Sequence, residues 1–115
     1  MSVLTQGRQF QLWEYHVSHG SLLIRSPAGP GAATNVDIIC VGVEYVSAPR
    51  HLGEIELSTA TADEIQSVER VLQRSVLPSR LRVLQSSKGR FLVVAADLKV
   101  QEHGGDIFES PFAGA

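Results

Sequence analysis

The chain has 115 residues, a net charge of −2, 43% hydrophobic and 19% charged residues. Those values exclude a disordered chain, which is poor in hydrophobes and rich in charge, and they lack the basic balance that marks a nucleic-acid binder. A single cysteine, Cys40, excludes an intramolecular disulfide, and no run nears the ~18 uninterrupted apolar residues of a membrane span.

A chain of this length makes one domain, 1–115, able to bury roughly two-thirds of its unfolded surface. Residues 1–8 lack the basic-then-apolar plan of a secretory signal. A cytoplasmic protein is expected, with no membrane and no nucleic acid among its partners.

Residues 10–18 alternate. Trp13, Tyr15 and Val17 fall on one face, and Phe10, Leu12, Glu14 and His16 on the other. Period two with aromatics predicts a strand. His19-Gly20 then reads as a two-residue turn, with Gly supplying positive φ. That turn pairs Val17 with Leu22, Tyr15 with Ile24, Glu14 with Arg25 and Trp13 with Ser26. Residues 27–35 form a loop rich in Gly and Pro. Residues 36–46 are apolar on both faces, as in a central strand covered on both sides, and Gly42 marks a bend or bulge within it. Residues 47–53 connect to a short strand at 54–58.

The helix is expected at 62–75. Thr61 and Glu64 fit a capping box. Asp63 and Glu64 sit at the positive end of its dipole, and Arg70 and Arg74 near the negative end. Ile65, Val68 and Leu72 form its apolar stripe, and Pro78 blocks continuation. A second hairpin, 80–87 and 90–100, turns at Lys88-Gly89 and pairs Gln85 with Leu92, Val83 with Val94, and Leu81 with Ala96. The tail, 103–115, is a docked irregular segment or a frayed one.

The order β-β-β-β-α-β-β predicts an α+β fold: a curved, mostly antiparallel sheet of about six strands with one helix packed on one face. A helix of ~21 Å covers only part of such a sheet. The remaining apolar strand faces call for curvature, for the tail, or for a second copy of the chain, so a homo-oligomer or a protein partner is expected.

Chemistry has few candidates. His16 and His19 lie on a strand running into a turn, where two rings do not converge as they do on a helix, and no third ligand lies nearby. Cys40 sits among Ile38, Ile39 and Val41 as a small buried hydrophobe. No Ser stands in a nucleophile elbow, and Gly29-Pro30-Gly31 precedes a strand, not the helix N-terminus that phosphate binding needs. Arg70, Arg74, Arg80 and Arg82 read as a solvated face. No catalytic residue, metal site or cofactor is assigned. Trp13 and Tyr15 are the candidate contact aromatics. Glu14, His16, Arg25 and Glu44 are the candidate polar patch. The leading expectation is a non-enzymatic binding or accessory domain acting through protein–protein contact. The alternative is a small-ligand-binding or enzymatic domain with those four polar residues lining a cleft on the curved sheet.

Overall fold

A computed structural model describes residues 7–29 and 31–112. The readings of 1–6, of Pro30 and of 113–115 lie outside those residues. Among the described residues, nine strands and one α-helix make an α+β fold of two antiparallel sheets. The strands are β1 (Phe10–His16), β2 (Ser21–Ser26), β3 (Asn35–Val41), β4 (Tyr45–Ser47), β5 (His51–Gly53), β6 (Ile55–Ser58), β7 (Leu81–Ser86), β8 (Gly89–Val94) and β9 (Asp97–His103), and α1 is Ala62–Leu72. One sheet runs β5-β1-β2-β3-β9 and the other β4-β8-β7-β6. The helix is too short to cross a membrane.

Two long apolar runs create the pair of sheets. The run at 36–46 breaks at Gly42, whose φ is +64°. The run at 91–100 breaks at Ala95-Ala96. Both breaks fall side by side, with the Ala96 N–H donating to the Gly42 carbonyl at 3.3 Å. So β3 and β9 pair in one sheet, and their continuations β4 and β8 pair in the other. A Cβ on residue 42 would lie 2.7 Å from the Ala96 Cβ, which is why the corner takes glycine.

The double-sided apolarity of the strands follows from this layering. Phe10, Leu22, Ile24, Ile38, Cys40, Leu52, Ile55, Leu84 and Val93 form the core between the sheets. Val68 of α1 packs with Leu81 and Val94 on the far side of the four-stranded sheet. The capping box forms as expected: Thr61 accepts from the Glu64 N–H, and the Glu64 carboxylate accepts from the Thr61 N–H. The helix ends at Leu72, before Ser75, because Gln73 turns left-handed at φ 59°. The Glu69 carboxylate then accepts the Val76 N–H at 2.8 Å, directing the chain away.

Both hairpin registers differ from the expected ones. In the first, Val17–His19 form a 3-10 turn and Gly20 takes the left-handed conformation. His16 therefore pairs with Ser21, Tyr15 with Leu22 and Glu14 with Leu23. A bulge at Trp13 shifts the rest, so Leu12 meets Ile24 and Gln11 meets Arg25. The expected pairs Glu14–Arg25, Tyr15–Ile24, Val17–Leu22 and Trp13–Ser26 do not form. The cause is local: only Gly20 tolerates positive φ cheaply, so the loop lengthens until Gly20 closes it. In the second hairpin, Val83 pairs with Leu92 and Leu81 with Val94. That slip of two residues leaves the side chains of β7 and β8 on their expected faces, and the expected pair Leu81–Ala96 does not form because the strand leaves for the other sheet past Val94.

Candidate functional site

The strands β2 and β3 each carry one charge inside an apolar run: Leu22-Leu23-Ile24-Arg25-Ser26 and Val36-Asp37-Ile38-Ile39-Cys40. Strand alternation sends Leu22, Ile24, Ile38 and Cys40 into the inter-sheet core, and Arg25 and Asp37 to the other face. The register places Arg25 directly opposite Asp37. Arg25 Nε donates to Asp37 Oδ1 at 2.6 Å and Nη2 donates to Oδ2 at 2.9 Å. Both side chains are 0% exposed. Such a bidentate fork is the geometry in which a buried pair best offsets its desolvation.

β9 completes the cluster. His103 Nε2 lies 2.9 Å from Asp37 Oδ2 and 3.3 Å from Arg25 Nη2. Its Nδ1 accepts the Gly105 N–H at 3.3 Å. These bonds assign the ring as the Nε2–H tautomer donating to Asp37. The Trp13 ring, freed from strand pairing by the bulge, sits 5.7 Å from the Arg25 guanidinium carbon, within cation–π range.

Residues 104–112 lie against this face as an irregular segment. Arg25 Nη1 donates to the Ile107 carbonyl at 2.5 Å. Asn35, fully buried, accepts the Ala28 N–H at 2.7 Å through Oδ1 and donates to the Gly105 carbonyl at 3.0 Å through Nδ2. Phe108 tilts over Trp13 with ring centres 6.4 Å apart. Phe112 meets His16 edge-on at 5.5 Å. His16 also bonds Glu14. Burial raises the Glu14 carboxyl, but hydrogen bonds from His16 and Ser110, with the charges of His16 and Arg25, outweigh it and leave it below the usual carboxylate value.

The structure thus brings Trp13, Glu14, His16 and Arg25 to one face, with Asp37, Asn35 and His103. Two candidates lie elsewhere. Tyr15 pairs with Leu22, on the opposite face from Arg25, and is 44% exposed. Glu44 bonds Arg74 just past the end of α1. Sequence reading missed Asp37, Asn35, His103, Phe108 and Phe112. The available signal was the lone acid in 35–41 matched to the lone base in 21–26.

The cluster suits holding, not reacting. Arg25 and Asp37 are sealed, and Arg25 donors point at a main-chain carbonyl. A cavity of about 220 Å³ is lined by Leu57, Ala60, Leu81, Val83 and Leu98, and includes none of the cluster. Burial pushes the Cys40 thiol up to about 12, with nearby Arg82 lowering it and Asp97 raising it, so it is no nucleophile at neutral pH. Among the described residues, no group of three or more His, Cys, Asp or Glu is placed to hold a metal ion. No family model, curated protein or solved structure matches this chain.

Proposed function

We propose that the protein is a non-enzymatic binding domain of the cytoplasm that acts through protein–protein contact, with the aromatic face around Trp13 and Phe108 as its contact surface. One observation carries this reading. Phe108 is 77% exposed yet held in place over Trp13, on a segment that buried Arg25 and Asn35 fix through its main chain. A large aromatic presented outward on a fixed support is the makeup of an interface hot spot. The polar-cleft alternative has less behind it: Arg25 is sealed, and Glu44 is engaged with Arg74.

The test is site-specific photocrosslinking in the cells that express the protein. A photoreactive residue at position 108 should give a discrete heavier adduct, and one at exposed Glu56 should not. The adduct mass separates a foreign partner from a second copy. No adduct at 108, or equal adducts at both positions, refutes the reading.

A further inference from the structure

The contacts that hold residues 104–112 have an uneven chemistry. Every hydrogen bond that Arg25 and Asn35 make to the segment goes to a main-chain carbonyl, those of Gly105, Asp106 and Ile107. The best two, on Gly105 and Ile107, lie two residues apart and flank the Asp106 carbonyl, on which the Glu109 N–H closes a turn at 3.0 Å. His103 takes a main-chain N–H from the same stretch. Side-chain recognition falls to two aromatics, Phe108 on Trp13 and Phe112 on His16, and to the Ser110 hydrogen bond to Glu14. This is how a peptide groove works, with main-chain bonds giving affinity and a few side-chain seats giving specificity.

The receiving face is built in advance. Arg25 is fixed by its fork to Asp37 and by Trp13, and Asn35 by the Ala28 N–H. None of these supports comes from the segment. The segment itself is joined to β9 through Gly104-Gly105; a side chain at 104 would touch nothing within 4 Å, whereas one at 105 would meet the Glu109 carboxylate at 2.7 Å.

We infer that this face is a peptide-binding groove filled in cis by the chain's own C-terminal segment. Its partner is a peptide that offers two carbonyls two residues apart and turns at the aromatic residue that follows, as Gly105, Ile107 and Phe108 do. The inference rests on the contact reading above, with Trp13 meeting the partner once Phe108 has left it, and names the partner's chemistry. The tethered segment competes at a high effective concentration, so a free peptide binds only the fraction of molecules whose groove is open.

The experiment uses the full chain and a fluorescent peptide of residues 104–112, Gly-Gly-Asp-Ile-Phe-Glu-Ser-Pro-Phe, read by anisotropy. Wild type and Phe108→Ala are titrated, with circular dichroism melts to confirm that both fold. Weakening the tethered competitor should tighten peptide binding, by roughly tenfold, while a scrambled peptide should bind neither protein. Affinities within twofold of each other, binding by neither protein, or equal binding of the scrambled peptide would overturn the inference. If the peptide fails while position 108 still crosslinks, the contact function stands and its partner sits on the outer surface of the segment.

Discussion

The Arg25–Asp37 pair makes the sharpest stability prediction. Removing one charge strands the other in a site that water does not reach, since both side chains are 0% exposed. Arg25→Met leaves Asp37 with His103 alone. Asp37→Leu leaves a guanidinium facing Trp13, His103 and one carbonyl. Each single change should cost about 3–5 kcal/mol, a large share of the ~5–15 kcal/mol that holds a domain together. For a domain near this size that lowers Tm by roughly 10–25 °C. The double variant removes both desolvation penalties along with the fork. Its main loss is the Arg25 bond to the Ile107 carbonyl, about 1.5–3 kcal/mol for a charged donor. The double variant should therefore be more stable than either single one, with a coupling of at least about 3 kcal/mol. Urea unfolding of the four proteins at pH 7 measures that coupling directly. Additive losses, with the double variant least stable of all, would show that the pair is not a sealed unit.

Two further predictions address the other sheet and the corner. Hydrogen bonding to Arg90 overcomes the upward effect of burial and, with help from Thr61, holds Glu64 at about 2. A depressed carboxylate stabilises the fold above its unfolded value of 4.5 and loses that contribution as pH falls through its folded value. The displacement corresponds to about 3 kcal/mol, which solvent screening of the partly exposed pair reduces to about 1 kcal/mol. Glu64→Gln keeps a capping side chain, so its deficit against wild type should fade between pH 4.5 and 2 in chemical denaturation; a deficit constant across that window refutes the assignment. At the corner, Gly42→Ala combines left-handed φ with a 2.7 Å approach to the Ala96 Cβ and should cost about 2 kcal/mol or more. Gly29→Ala, where the added Cβ meets nothing within 4 Å, should stay within about 0.5 kcal/mol of wild type. Equal urea midpoints for the two variants would contradict the steric account.

Local signals in the sequence were legible wherever one residue type dictates one geometry. Thr61 and Glu64 specify a capping box because two orphan amides need two acceptors at that spacing. Gly42 specifies a break because the run around it is otherwise unbroken. Face assignments in the second hairpin survived a register slip because two residues restore the alternation. The bulge at Trp13 left no such mark. Alternation from Phe10 to His16 reads as unbroken, and only contact with Arg25 and Phe108 shows where Trp13 belongs. The two sheets were hidden for a related reason: an apolar run does not say whether one sheet or two covers its faces.

That ambiguity explains why a charge pair belongs in these strands. Leu22, Leu23 and Ile24 face Cys40, Ile39 and Ile38, and all six are buried. A slip of one residue would still match apolar with apolar, so hydrophobic patterning gives β2 and β3 almost no register signal. Arg25 and Asp37 supply it. One step of slip would set Arg25 opposite Val36 or Ile38 and strand both charges. The same register aims Arg25 Nη1 at the Ile107 carbonyl, so the alignment of two core strands also sets where the C-terminal segment and Phe108 lie. The double variant of the stability cycle exposes this role: it should fold yet lose uniqueness, giving more than one set of amide resonances for β2 and β3. A single sharp set would mean that Leu22–Ile24 and Ile38–Cys40 find their alignment without the charges.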